Sequence, residues 1–116
     1  MPSIGFVVPV LPGKTAADRS VMRACWDGER SASHRAARSR LGITREAVWI
    51  QPTPAGDVAV VYLEADDLPA AMEGIATSEE PFDRWFREHV REVHGLDLEA
   101  GLTPPEQVLD YRAGAA

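Results

Sequence analysis

Cysteine occurs once in this 116-residue chain, at Cys25, which excludes an internal disulfide and any site built from several cysteine ligands. A lone thiol suits a reducing cytoplasm. Lysine also occurs once, at Lys14, so positive charge is almost wholly arginine, a bias we assign to a GC-rich genome rather than to function. Net charge is −6 and the bases are interspersed with acids, which leaves no surface for tracking phosphates. Nucleic-acid binding is therefore not expected. Nowhere do eighteen apolar residues run together, so no membrane span is expected. The opening stretch has no basic n-region, and Pro9 and Pro12 interrupt its short apolar run, so it reads as a strand rather than a signal peptide. There is no Gly-x-Ser-x-Gly, no phosphate loop and no dinucleotide fingerprint.

What is present fits one soluble domain over residues 1–116, large enough for a single core. Residues 4–10 read as a first strand closed by a turn at Pro12-Gly13. A long helical segment follows, from about Thr15 to Arg40, with an inner stripe of Ala17, Val21, Ala24/Cys25, Gly28, Ala32 and Ala36. That stripe is small, so the helix either lies very close to a sheet or leaves volume beneath itself. Met22 and Trp26 fall to one side of it, facing a neighbouring helix or subunit. Glycine in mid-helix costs roughly 1 kcal/mol against alanine, so a bend is expected near Asp27-Gly28. The segment ends at Leu41-Gly42.

Residues 46–51 and 57–64 are the most strand-like parts, joined through a Pro- and Gly-containing hairpin loop. Alternation sets Trp49 and Gln51 on one face of their strand, and Tyr62 and Glu64 on one face of the next. Asp66-Asp67 opens a short helix to about Ala76, and Ser78 is placed to cap a second one that ends at Gly95. In that second helix Phe82, Phe86, His89/Val90 and Val93 share one face, while Arg84, Arg87, Glu88 and Arg91 take the other. The segment Gln107–Arg112 alternates and reads as a last strand, with a short helix as the competing assignment.

Strand, helix, strand, strand, helix, strand is the order of a ferredoxin-like α+β domain, one four-stranded antiparallel sheet with two helices on a single face. The other face is then bare, carrying Trp49 and Tyr62, and dimerisation through it removes an apolar patch that soluble proteins seldom expose.

The segments Leu41–Gln51, Gly56–Glu64 and Pro81–Gly95, in that order, resemble a largely uncharacterised family of short actinobacterial proteins within the dimeric α/β-barrel superfamily. The resemblance extends from Ile4 to Arg112. It implies the ferredoxin-like fold and a homodimer paired through its sheet faces into a barrel. The superfamily includes cofactor-free antibiotic monooxygenases, polyketide cyclases, haem-degrading enzymes, muconolactone isomerases and stress-response proteins, so the fold alone is a weak warrant for chemistry.

His89, centred on an apolar helix stripe, is the leading candidate for a catalytic residue. An inward imidazole is either a general acid/base facing a ligand or a core group paired with a backbone carbonyl or strand residue. Trp85 and Phe86 flank it as pocket walls. Tyr62 and Glu64, with Trp49 and Gln51 beside them, form a second set; they steady a phenolic or enolic substrate, or they are the dimer interface, where Trp and Tyr are enriched. His94 reads as a complement to the helix dipole, His34 as solvated, and Cys25 as a buried hydrophobe. His89 and His94 stand about 140° apart around a helix, so no protein-built metal site is expected, although a single haem ligand needs no spacing.

The function expected is a small-molecule enzyme without metal, nucleotide or other cofactor. It takes an apolar or aromatic ketonic, polyketide-like substrate and acts by proton transfer as a cyclase or isomerase. His89, Tyr62 and Glu64 are the expected catalytic residues, and Trp85, Trp49, Gln51 and Phe86 the expected substrate-binding ones. A non-catalytic structural or ligand-binding dimer is the alternative, and a cofactor-free monooxygenase or haem-binding protein a further one. A cavity on the order of a few hundred Å³ reaching His89 separates the enzyme from the structural protein.

Overall fold

A computed structural model describes residues 2–114; positions 1, 115 and 116 of the expected domain lie outside the described residues. Three strands and four helices follow in the order β1 (Ser3–Pro9), α1 (Thr15–Asp27), α2 (Ser31–Arg40), β2 (Ile43–Thr53), β3 (Gly56–Ala65), α3 (Leu68–Thr77) and α4 (Pro81–His94), with one 3-10 turn at Leu98–Ala100. The strands form one antiparallel sheet in the order β1-β3-β2. This is a mixed α+β domain whose strand order is consistent with a ferredoxin-like arrangement.

The register arranges side chains into rows across the sheet. On the helix-facing side run Phe6, Val61 and Val48, then Val8, Ala59 and Ile50. On the opposite side run Val7, Val60 and Trp49, then Gly5, Tyr62 and Ala47. Burial follows this division: Val8, Ala59 and Leu63 are buried, whereas Val7 and Trp49 are exposed. β2 and β3 join through Pro54-Ala55, and Thr53 closes the turn by donating its hydroxyl to the Gly56 carbonyl at 2.6 Å.

Between sheet and helices the core has two parts. One gathers Ile43, Leu63, Ala65, Ala71 and Ile75 under α3. The other gathers Val8, Val10, Ala59 and Val93 under the end of α4. The stretch expected as one helix over Thr15–Arg40 is two, α1 and α2, parted at Gly28. A Cβ at Gly28 lies 2.8 Å from the Ala24 Cα, so only glycine lets the chain turn that closely upon α1. α4 ends as expected at Gly95, whose φ of 68° is the left-handed conformation of a helix C′ residue.

Three expectations are corrected. No fourth strand forms among the described residues: 102–112 has no regular structure, and Val108, Leu109 and Tyr111 are about four-fifths exposed. An alternating segment becomes a strand only by hydrogen-bonding to a sheet edge, and Pro104-Pro105 remove two amide donors just ahead of it. The inner face of the α1–α2 stretch is shifted by one residue: Asp18, Val21, Met22 and Cys25 face inward on α1, and His34, Ala37 and Arg38 on α2, while Ala17, Ala32 and Ala36 are exposed. Arg87, placed on the polar face of α4, is buried and donates to the carbonyls of Ile75 at 3.0 Å and Ser78 at 2.7 Å, joining α4 to the end of α3.

Candidate functional site

α1 and α4 cross beside the end of β1, and there three ionisable side chains meet. Asp18, in the first turn of α1, is 1% exposed; His89 and His94 of α4 are 8% and 7% exposed. His89 donates from Nε2 to Asp18 Oδ1 at 3.0 Å. His94 reaches Pro9 with its other nitrogen, Nδ1 standing 2.7 Å from the carbonyl oxygen, and its Nε2 lies 3.7 Å from the same Asp18 Oδ1. A nitrogen facing a carbonyl carries the proton, so the Pro9 contact fixes the His94 tautomer and turns Nε2 toward Asp18. Asp18 Oδ2 is buried and has no hydrogen-bond partner.

Electrostatics follow the geometry. Burial by itself raises the Asp18 carboxyl, but the His89 hydrogen bond and the nearby His94 ring outweigh it and hold the group well below the usual carboxylate range. His94 moves the other way. Burial lowers its pKa, whereas the Asp18 and Pro9 contacts raise it, with a net rise. Trp85 stacks on the His89 ring, with centroids 6.0 Å apart and planes 18° off parallel, and is itself covered by the Arg30 guanidinium at 3.8 Å.

These three residues close one end of a cavity of about 80 Å³ between the sheet and the helices. Val48, Ala59 and Phe86 line its walls, and Arg38 and Glu46 reach it from α2 and β2 respectively. Glu46 accepts from His34 Nε2 at 2.7 Å and from Arg38 at 2.9 and 3.2 Å. Burial raises the Glu46 carboxyl, yet the His34 hydrogen bond and the Arg38 guanidinium overcome this and push it down to about 2. The Arg38 guanidinium lies 4.5 Å above the Phe86 ring, and Phe86 is 6.5 Å from His89, so this ring stands between the two polar clusters. A wider apolar groove of about 440 Å³ runs along the free edge of β1. It shares Phe6, Val8, Met72, Ile75, Leu98 and Leu102 with the cavity.

Of the residues expected at the site, His89 and Phe86 line the cavity. Trp85 backs His89 from outside. Tyr62, Glu64, Trp49 and Gln51 do not join them, because alternation puts all four on the far side of the sheet. There Arg45 lies 5.5 Å above the Tyr62 ring and 3.7 Å from the Glu64 carboxylate, and Gln51 donates to the Pro52 carbonyl. The carboxylate beside His89 is Asp18, not Glu64.

His34 is half-buried on Glu46 rather than solvated, and His94 faces inward rather than the helix end. No protein-built metal site was expected; even so, side-chain atoms of Asp18, His89 and His94 that could serve as ligands lie within 4.8 Å of one another. Five-residue spacing on α4 sets the two histidines apart around the helix, but Asp18 from α1 stands beside both. Asp18 carried a readable signal, since Asp18, Met22 and Cys25 stand at i, i+4 and i+7, a carboxylate on an apolar helix face.

No family model and no curated protein matches the chain.

Proposed function

We propose that this chain is a small-molecule enzyme for a ketonic substrate with an apolar or aromatic body, an isomerase or cyclase that shifts a proton beside a carbonyl. The observation that carries this reading is the apolar cavity ending on the buried Asp18–His89–His94 cluster. Its size limits what enters. About 80 Å³ is roughly half the engineered 150 Å³ cavity that accepts benzene. The enclosed part thus takes the carbonyl and the carbon next to it, and the rest of the molecule lies in the 440 Å³ groove beside β1. A whole polyketide ring system is too large for the enclosed end, and so is a haem macrocycle.

The test is solvent-deuterium incorporation next to the carbonyl of small aryl and alkyl ketones, followed by NMR. Exchange is expected for compact methyl ketones, and expected to vanish in Val48→Phe, which fills the cavity from the β2 side. A panel in which no ketone exchanges or binds overturns the reading.

A second reading has its own observation. The outer sheet face is a ferredoxin-like face without its helices, carrying Val7, Val60, Trp49 and Tyr62 across three strands. It supports a homodimer paired through these faces, which serves the enzyme reading and a non-catalytic dimer equally.

A further inference from the structure

From the same cluster we infer that Asp18, His89 and His94 form a site for one divalent first-row transition ion, of the zinc, cobalt or iron(II) type. The inference deepens the functional reading above, naming what meets the substrate oxygen, and its test uses no substrate.

Four observations converge. The first is the tautomer of His94. Its Nδ1 proton is spent on the Pro9 carbonyl at 2.7 Å, so in the neutral ring Nε2 points a lone pair at a carboxylate oxygen 3.7 Å away. At 3.7 Å the gap is long for a hydrogen bond, and positive charge between the two atoms, a cation or a proton on Nε2, makes the arrangement favourable. The second is spacing. An ion with Zn–N and Zn–O bonds of about 2.0–2.2 Å holds neighbouring ligand atoms about 3.0–3.5 Å apart, from octahedral to tetrahedral geometry. Asp18 Oδ1 stands 3.0 Å from His89 Nε2 and 3.7 Å from His94 Nε2, close to that range, and all three ligand atoms lie within 4.8 Å of one another, so binding draws the rings inward.

The third is the second carboxylate oxygen. Oδ2 of Asp18 is buried without a partner. A buried polar atom left bare costs free energy, and turning to an ion beside it satisfies both oxygens at once. The fourth is the outer shell. A ligating imidazole usually donates its other nitrogen to a carbonyl or carboxylate, as His94 does to Pro9, while Trp85 stacked on His89 holds that ring in plane.

Two imidazoles and one carboxylate select a borderline transition ion over calcium or magnesium, which prefer oxygen ligands throughout. Three protein ligands leave further positions open toward the cavity, the arrangement of a catalytic rather than a structural ion. The charge balance also improves. A carbonyl oxygen approaching a buried carboxylate is repelled; an ion on that carboxylate attracts it.

The experiment is titration of the full chain, stripped by chelator, with Co2+ and with Zn2+. One equivalent of Co2+ is expected to give the strong visible absorption of four- or five-coordinate cobalt, displaced by Zn2+. Ring resonances of His89 and His94 are expected to shift far from their diamagnetic positions. Asp18→Asn and His94→Gln are expected to weaken binding by more than about 100-fold, beyond the loss seen for outer-shell partners, while Glu64→Gln on the far sheet face leaves it unchanged. The inference is overturned by cobalt that keeps its pale hexaaqua spectrum, by unshifted His89 and His94 resonances, or by undiminished binding in folded Asp18→Asn. The wild-type spectra decide the matter should the variants fail to fold. Loss of metal binding with ketone exchange intact rejects this site and leaves the enzyme reading standing.

Discussion

Asp18 and His89 are each buried deeply enough that neither is satisfied by water, so each depends on the other. Removing one member of such a pair leaves the partner as an isolated polar or charged group, and that loss outweighs the packing lost with the ring. His89→Ala is therefore expected to destabilise the fold by about 3 kcal/mol, read as a shift in denaturant midpoint at unchanged slope. A loss below about 1 kcal/mol would mean that solvent already reaches Asp18. His89 was legible in the sequence because a histidine amid Phe82, Phe86 and Val93 breaks a regular apolar period. The signal of its partner, Asp18 at i with Met22 and Cys25 at i+4 and i+7, competes with an equally regular stripe through Ala17, one residue and about 100° away around the helix. Small residues pack equally well on either stripe. The sequence pattern alone does not choose between them.

At the scale of elements, α2 is clamped to β2 through Glu46. With a folded-state pKa near 2 against an ordinary 4.5, Glu46 favours the folded chain wherever it is ionised in both states. The sign follows: its contribution is complete above about pH 4.5 and is lost as pH falls from there toward 2, by about 3 kcal/mol in all. Urea midpoints taken across that range are expected to fall less steeply in Glu46→Gln than in the parent. Parallel profiles would show that His34 and Arg38 do not hold the carboxylate. α3 offers a simpler case. Asp67 Oδ1 accepts from the Ala70 amide at 3.1 Å, an N-cap contact readable from Asp67-Leu68-Pro69. Asp67→Ala is expected to cost about 1 kcal/mol by thermal melting. α3 with its Asp67 cap and α4 with its clean period were legible, as were β2 and β3; Ser78, expected to cap α4, instead ends α3, and Glu80 stands at the start of α4 without a side-chain cap. The segment 107–112 was misjudged because alternation describes how side chains are disposed, whereas a strand also requires a neighbour, and no local pattern records which edge is free.

At the scale of the molecule the sheet separates two chemistries. One face closes on α1 and α4 over the Asp18–His89–His94 cluster. The other presents Val7, Val60 and Trp49 as one continuous row, with Tyr62 in the next. The alternation of β2 and β3 already turns Trp49 and Tyr62 away from the helices, so grouping Tyr62 and Glu64 with His89 joined residues from opposite sides of the sheet. The outer row has a different use. Val60 lies on the middle strand with Val7 and Trp49 as its direct neighbours, and Trp49 is 54% exposed and Val7 60%. A valine so placed gains from a second apolar face and makes no contact with the cavity behind it. Sedimentation at micromolar concentration is expected to give twice the 12.6 kDa chain mass. In Val60→Lys the mass should fall to that of one chain, because two such lysines meet across the paired faces without partners. Cobalt binding at Asp18, His89 and His94 is expected to survive that change, since the three ligands come from one chain. A parent protein that sediments as a monomer with its fold intact removes the sheet-face dimer, and Val7 and Trp49 are then exposed for another reason.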